Sequence, residues 1–254
     1  MSDAIYIEIT ATRGSTPRDA GTAMKVTAND IAGTIGGGAL EHQATLTARE
    51  MLAQGCKAKT LKVPLGPNLG QCCGGSVTLN FTDRQRQTDP IMMPPKLNIS
   101  DHAPLDLWLW GAGHVGRAVV RNSPKGAFNI TWVDTGFDRF PADISPDITV
   151  LPAADMPRVV QHSPRSAHHL IFTYSHDIDL ALCAALLDRS AASIGLIGSD
   201  TKWARFRKRL RAAGLDPTPI ICPIGDKSLG KTPDAIAHGC VSRLVDQVKT
   251  KELL

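Results

Sequence analysis

The sequence predicts an α/β protein of two domains. The C-terminal domain is a parallel sheet with helices on both faces, and a smaller N-terminal domain is of α+β type. Three observations predict this. From Leu105 onward, strand-like apolar runs alternate with helical patterns, which is how a parallel sheet with crossover helices reads. The first run, Leu107-Trp108-Leu109-Trp110, feeds directly into Gly111-Ala112-Gly113-His114-Val115-Gly116, a Gly-x-Gly-x-x-Gly turn between a strand and a helix. Between the halves, residues 83–104 hold Asp83-Arg84-Gln85-Arg86-Gln87-Thr88-Asp89-Pro90, Pro94-Pro95 and Pro104, with no periodicity. That composition reads as a linker. The domains are therefore set at 1–82 and 105–254, with the linker at 83–104.

Whole-chain composition narrows the function classes. The 254 residues are 43% hydrophobic and 20% charged, ordinary for a soluble globular chain with ample core material. The formal net charge of +4 tilts slightly toward anionic small molecules and does not argue for nucleic acid. No run approaches the roughly 18 consecutive apolar residues of a membrane span. Met1-Ser2-Asp3-Ala4 lacks the basic and apolar regions of a secretory signal, so the expected location is the cytoplasm. Six cysteines (Cys56, Cys72, Cys73, Cys183, Cys222 and Cys240) contain no Cys-x-x-Cys pair. An intracellular chain of this size has no need of disulfides. Cys183 and Cys240 fall on apolar helix faces and read as buried small hydrophobes.

In the first domain, residues 4–10 read as a strand. The loop Arg13-Gly14-Ser15-Thr16-Pro17-Arg18 follows. Arg13, Ser15 and Arg18 could bind an anion, because guanidinium forks match phosphate geometry; a plain surface turn reads equally well. Strands are expected at 22–26 and 30–35. Next come Gly36, Gly37 and Gly38 ahead of a helix whose apolar positions are Leu40, Ala44, Ala48, Met51 and Leu52 and which ends at Gln54-Gly55. One glycine suffices for a turn of positive φ, so three suggest close backbone approach to an anion at a helix N-terminus. Residues 57–63 and 77–81 are strand candidates flanking Leu69-Gly70-Gln71-Cys72-Cys73-Gly74-Gly75. Adjacent cysteines are poorly placed to bond each other. In a glycine-rich loop, Cys72 and Cys73 read as approachable thiols, either soft ligands to a metal or metal cofactor or sulfur-handling thiolates; one buried and one incidental cysteine is the plain alternative.

In the second domain each glycine of the 111–116 turn has a separate role. Gly111 permits the tight turn, Gly113 lets a backbone approach a diphosphate, and Gly116 lets the helix pack close to the sheet. Strand 105–110 and helix 114–122 flank it, and strand 127–133 ends at Asp134, 18 positions after Gly116. An acid about 20 residues on can hydrogen-bond a ribose; at a strand end it can also cap the next turn. Strands at 147–151 and 167–173 follow. Tyr174-Ser175-His176-Asp177 then opens a helix with apolar positions Leu180, Cys183, Ala184 and Leu187. His176 thus stands at the carboxyl end of a parallel strand, where open α/β sheets bind ligands, unless Ser175 or Asp177 only caps the helix. A strand at 193–197, a basic helix at 201–213 closed by Gly214, a short strand at 219–222 and a helix at 234–249 complete the chain. Lys202, Arg205, Arg207, Lys208, Arg209 and Arg211 of the basic helix read as a solvated face. The last helix is expected to bury Ile236, Cys240, Leu244, Val245 and Val248.

Taken together, these motifs resemble the XdhC/CoxI family, the xanthine dehydrogenase accessory proteins. Gly14-Ser15-Thr16-Pro17-Arg18, Gly33-Thr34-Ile35-Gly36-Gly37-Gly38 with Glu41, and Leu69-Gly70-Gln71-Cys72-Cys73-Gly74-Gly75 resemble its N-terminal signature. The 111–116 turn with His114, Ser175-His176-Asp177, Gly198-Ser199 with Lys202, and Gly225 followed by Gly230-Lys231-Thr232-Pro233 resemble its Rossmann-like half. One departure stands out: the family often has Asp-x-Arg after the second strand, whereas here Asp134 is followed by an arginine only at Arg139.

The resemblance implies a chaperone-like maturation factor and not a catalyst. Such a protein binds molybdenum cofactor (molybdopterin) as cargo, supports its sulfuration by a cysteine desulfurase and delivers it to apo-xanthine dehydrogenase. By family analogy a homodimer is expected. On this reading the cofactor contacts are Arg13, Ser15, Arg18, Gly36, Gly37, Gly38, Glu41, Cys72, Cys73, Gly111, Gly113, His114, Gly116, Asp134 and His176. Two other readings compete. An NAD(P)-dependent oxidoreductase would use the 111–116 turn and Asp134 but leaves the 36–38 and Cys72-Cys73 motifs without work. A protein-binding scaffold would keep only a vestigial nucleotide site.

Overall fold

The computed structural model describes residues 3–14, 16–65, 75–84 and 103–251. The chain divides into two compact units, Met1–Met92 and Met93–Leu254.

The first unit is a five-stranded antiparallel sheet, in order β3-β2-β1-β5-β4, with one helix. The strands are β1 (Ile5–Arg13), β2 (Ala23–Val26), β3 (Ile31–Gly33), β4 (Ala58–Pro64) and β5 (Ser76–Thr82), and α1 spans Gly38–Gln54. Ile5, Ile7 and Ile9 of β1 and Val77, Leu79 and Phe81 of β5 are buried. Their period of two turns one face of the sheet inward. The register Ile7↔Phe81 and Ile9↔Leu79 places these side chains opposite each other. Leu40, Ala44, Ala48 and Met51 of α1 join the same core, at the spacing of one helix face. Gly55 ends α1 in the left-handed conformation, as a helix-stopping glycine should.

The second unit is a six-stranded parallel sheet in order β11-β10-β9-β6-β7-β8. Its strands are β6 (Leu105–Trp110), β7 (Phe128–Asp134), β8 (Thr149–Pro152), β9 (His168–Ile171), β10 (Ser193–Leu196) and β11 (Ile220–Ile221). Read from β8, the order is third, second, first, fourth, fifth, sixth, which is the Rossmann arrangement. Helices cover both faces, as expected. Leu107 and Leu109 of β6 face a core shared with α2 (His114–Asn122) and α6 (Pro233–Lys251). Trp108 and Trp110 face the other core, shared with α3 (Met156–Val159), α4 (His176–Arg189) and α5 (Asp200–Ala212).

Two helix faces differ from expectation. In α4 the buried residues are Asp179, Leu182, Cys183 and Leu186, and not the line through Leu180, Ala184 and Leu187. An alanine-rich helix offers several apolar stripes, and the one chosen contains a carboxylate, which apolar patterning discounts. In α6, Ala237 and Val241 are buried with Cys240, Leu244 and Val245, while Ile236 is only partly covered; the Val248 side chain lies outside the described residues. Cys183 and Cys240 are core residues as read. Burial pushes both thiols up, Cys240 to about 12, which keeps them protonated and unreactive.

Toward the amino-terminal end of β9, His169 is fully buried. Its Nδ1 accepts a 3.2 Å hydrogen bond from the Trp110 indole, and the two rings stack at 6.1 Å. Because an indole nitrogen only donates, the proton of the neutral imidazole is on Nε2, which has no partner among the described residues. Burial, reinforced by the positive charges of His168 and Arg189, pushes His169 down to about 3. A depressed histidine stabilises the fold above its unfolded value, and that contribution is lost as pH falls from the ordinary value near 6.5 toward 3. All four tryptophans (Trp108, Trp110, Trp132, Trp203) lie in this unit, so indole fluorescence reports its unfolding. Urea denaturation should show roughly 1 kcal/mol of stability lost between about pH 7 and 5.5 through this group. In His169→Gln that slope should flatten; an unchanged slope would remove His169 as its source.

Candidate functional site

In the second unit β6 lies between β7 and β9. The chain leaves β6 toward β7, whereas β9 lies on its other side, so the strand order reverses at β6 and β9. A crevice opens outside the carboxyl ends of the strands at such a point. The glycine turn after β6 lines it, and the start of the β9–α4 loop lies against that turn. Gly111 has φ of 116°, and a Cβ there would meet the Phe172 carbonyl oxygen at 2.6 Å. A Cβ on Gly116 would stand 2.2 Å from the Gly111 oxygen, so α2 can reach the sheet only through a glycine. At Gly113, which is exposed, a Cβ would meet nothing within 4 Å. Two glycines are thus demanded by internal packing, and the middle one faces open space, as the motif's spacing predicts.

The turn is fixed from several sides. The Gly111 amide donates to the Val133 carbonyl at 2.8 Å, and the Trp132 indole donates to the Gly111 carbonyl at 3.0 Å. Arg117 Nε donates to the Ala112 carbonyl at 2.9 Å, and its Nη2 to the Arg139 carbonyl at 2.9 Å. The Asp134 carboxylate makes the turn-closing contact, the second of the two roles read for it. It is 1% exposed. Its Oδ2 accepts from the Ala112 amide at 2.6 Å and its Oδ1 from the Thr135 amide at 2.6 Å. Asp134 therefore holds the glycine turn to the end of β7 instead of presenting its carboxylate to the crevice. Arg139 stands 3.6 Å from it, which gives the displaced arginine of this loop a place beside the same acid.

On the other side of the crevice, Ser175 caps α4 through the Ile178 amide, and His176 is half-buried, edge-on to Phe206 at 6.3 Å. Periodicity missed Asp179 and misread Lys202. Lys202 is not part of a solvated face: it is 4% exposed, and its Nζ lies 2.5 Å from Asp179 Oδ2 and 2.9 Å from the Ile197 carbonyl. Asp179 Oδ1 accepts from the Thr173 amide at 3.1 Å and hydroxyl at 2.7 Å. This ion pair joins the β9–α4 loop to α5. The one signal for it in sequence is Lys202, three residues into a helix opened by Gly198-Ser199; the remaining basic residues of α5 are exposed as expected.

In the first unit the Arg18 loop and the 36–38 turn come together. A Cβ on Gly36 would meet Pro17 at 2.7 Å. Gly36, Gly37 and Gly38 all have positive φ, at 132°, 73° and 63°, so backbone conformation alone requires all three. The acceptor for this turn is internal: Glu41 Oε2 takes the Ile35 amide at 3.0 Å, the Gly37 amide at 3.2 Å and the Thr34 hydroxyl at 2.5 Å. The expectation that one glycine suffices here is thereby corrected, and the turn already holds the Glu41 carboxylate as an internal acceptor. Arg18 is buried; burial lowers its guanidinium pKa against the opposing pull of Glu41 and Asp19. Arg13 is exposed, in register with Ser76 at the far end of β1. Ser15, Cys72 and Cys73 lie outside the described residues.

A cleft of about 1130 Å³ opens instead at the amino-terminal ends of β9 and β10, lined by His168, Ser193, Asp226, His238 and Arg243 among others. None of the residues read from sequence as site residues lines it, and it lies at the end of the sheet opposite the glycine turn. Among the described residues no cluster of three His, Cys, Asp or Glu side chains could hold a metal.

The buried pair yields a direct test. Lys202→Met leaves Asp179 charged without its partner and should cost about 3–5 kcal/mol, read as a drop in urea midpoint by indole fluorescence. Asp179→Asn/Lys202→Met should recover part of that loss, because no unpaired charge remains and the amide still accepts from Thr173. A Lys202→Met midpoint equal to wild type would show that the pair contributes nothing.

Comparison with known proteins agrees with this architecture. The XdhC Rossmann-domain family matches residues 107–244, and the XdhC and CoxI family matches residues 3–63. The chain is 26% identical over 250 residues to the uncharacterized protein YqeB of Escherichia coli (strain K12), covering 95% of this chain and 43% of YqeB. It therefore spans less than half the length of that relative. Among solved structures it is similar in fold to a xanthine dehydrogenase from Bacillus halodurans, with a TM-score of 0.51 at 16% identity, over 98% of this chain and 92% of that one. The first family match alone spans more than half of the chain, and its glycine-turn sheet is the one described above: the chain belongs to the XdhC family.

Proposed function

We propose that the chain is a maturation factor for a xanthine dehydrogenase, and that it binds the molybdenum cofactor as cargo, supports its sulfuration by a cysteine desulfurase and hands it to the apo-enzyme. Family membership supports the maturation role, carried out as an accessory protein and not as a catalyst. The observation that carries the binding reading is the open Gly113 at the N-terminus of α2. The amide end of a helix favours a phosphate, and molybdopterin carries one. Of the helices longer than one turn, α1, α4, α5 and α6 each have an acid in the first turn, and α2 has none. The 36–38 turn, where Glu41 already sits, is the weaker phosphate site. Cys72 and Cys73 remain the soft groups suited to the metal or to the transferred sulfur. The cytoplasm and a homodimer are the setting in which this role is expected, and no described helix is long and apolar enough to cross a membrane.

An NAD(P)-dependent oxidoreductase is the weaker reading, because Asp134, its ribose acceptor, is enclosed by the glycine turn. A scaffold with a vestigial nucleotide site leaves the open Gly113 unused.

Two measurements test the proposal. The chain purified from cells that make molybdenum cofactor should carry pterin, detected as its oxidised fluorescent derivative, with molybdenum by elemental analysis. Gly113→Ala, which has room for its methyl, should keep the wild-type melting temperature and retain roughly a tenth of the pterin or less. Wild-type protein without pterin, but with saturable NADH binding, would favour the oxidoreductase. Separately, Cys72→Ala/Cys73→Ala should yield client dehydrogenase that contains cofactor lacking its sulfido ligand. Normal client sulfuration by that variant would exclude the thiols.

A further inference from the structure

Among the described residues, five large apolar side chains are exposed, and two of them, Phe137 (73%) and Tyr174 (57%), belong to the loops that follow β7 and β9. Those strands flank β6 on either side. The loops meet: the Arg139 guanidinium lies over the Tyr174 ring, 5.0 Å from its centroid. A residue beyond β7 thus touches a residue beyond β9, and the contact spans the carboxyl end of β6, from which the 111–116 turn departs. Arg139 is held at its backbone by Arg117 and at Nε by Asp134. Its Nη1 and Nη2 donate no hydrogen bond to any described residue, and its side chain is 42% exposed. A forked donor with both terminal nitrogens uncommitted is suited to a phosphate, and an exposed tyrosine face is suited to a flat ring.

We propose that Tyr174 and Arg139 form a clamp over the glycine turn for a flat heteroaromatic ring that carries a phosphate. The ring lies on the Tyr174 face, displacing the guanidinium, and the freed Arg139 fork turns to the phosphate at the turn. Phe137, two residues before Arg139, extends the apolar rim. A pterin phosphate and a nucleoside phosphate share this chemistry. The clamp deepens the cofactor reading and rests on it for the identity of the ring, while its residues make a claim that can be tested apart from that identity.

The test is calorimetric titration of the full chain with three probes: a pterin bearing a phosphate on its side chain, AMP, and inorganic pyrophosphate. Tyr174→Leu should weaken the ring-bearing probe about tenfold or more, Tyr174→Phe should stay within about twofold of wild type, and pyrophosphate should be indifferent to both. Arg139→Gln should weaken the ring-bearing probe and pyrophosphate alike. Urea midpoints of the variants, read by indole fluorescence, show whether a loss is one of fold. Tyr174→Leu binding ring-bearing probes as wild type does, or losing pyrophosphate as steeply as the ring, overturns the clamp. Wild-type binding of AMP and not of the pterin phosphate, with the same loss in Tyr174→Leu, upholds the clamp and overturns the cofactor reading. Wild-type protein that binds neither ring overturns both.

Discussion

Backbone amides left over where a strand gives way to a loop or helix need acceptors, and this chain answers that need with its own buried acids. Among the described residues three carboxylates are buried, Glu41, Asp134 and Asp179, and all three do the same thing. Glu41 takes the Ile35 and Gly37 amides. Asp134 takes those of Ala112 and Thr135, and Asp179 takes that of Thr173. A buried amide without a partner costs about 1–3 kcal/mol, so each acid locks one loop. Each burial has a cationic counterpart. Asp179 has Lys202 at 2.5 Å and Asp134 has Arg139 at 3.6 Å, while Glu41 acts on the buried Arg18. Fold and site share this constraint, because the loops so locked are the ones that surround the crevice in the second unit and the glycine turn in the first.

This arrangement separates two glycine-rich turns that look alike in sequence. Both stand between a strand and a helix. At 36–38 the helix that follows supplies Glu41 four residues on, and the turn closes around it. At 111–116 no acid occurs in the first turn of α2. The acid that serves this turn comes from β7, reaches Ala112 and stops short of Gly113. One turn is self-satisfied and the other keeps its helix end facing outward.

The second unit was legible in outline because its signals are local. The 105–110 strand and the 114–122 helix agree with the structure, and the roles of Gly111 and Gly116 follow from spacing alone. What stayed hidden depends on partners distant in sequence. Asp134 and Ala112 are 22 residues apart, and Lys202 and Asp179 are 23 apart; nothing in the sequence tells a carboxylate that closes a turn from one that meets a ligand. Periodicity also treats every acid as solvent-facing, so it rejected the α4 stripe through Asp179 and counted Lys202 among the exposed basic residues. The aromatic rim escaped for the opposite reason. Phe137 and Tyr174 stand singly in loops, and only the order of the strands brings the neighbours of β6 together over its end.

The rigidity of the turn and the freedom of its rim have different consequences for binding. Gly111 and Ala112 are held by the Val133 carbonyl, the Trp132 indole, the Asp134 carboxylate and Arg117, and beneath them Trp110 stacks on His169. A cradle fixed before its ligand arrives loses little conformational freedom on binding, so more of each contact appears as affinity. Such a cradle is indifferent to what the phosphate is attached to, since it offers amide and helix-end dipoles alone. Discrimination must come from side chains that meet the rest of the ligand. In the second unit, exposed groups on the loops after β7 and β9 include Phe137, Arg139 and Tyr174. On the proposed reading, the glycine turn, by which the fold is recognised, would set where an anion binds, and the two flanking loops would set which anion it is.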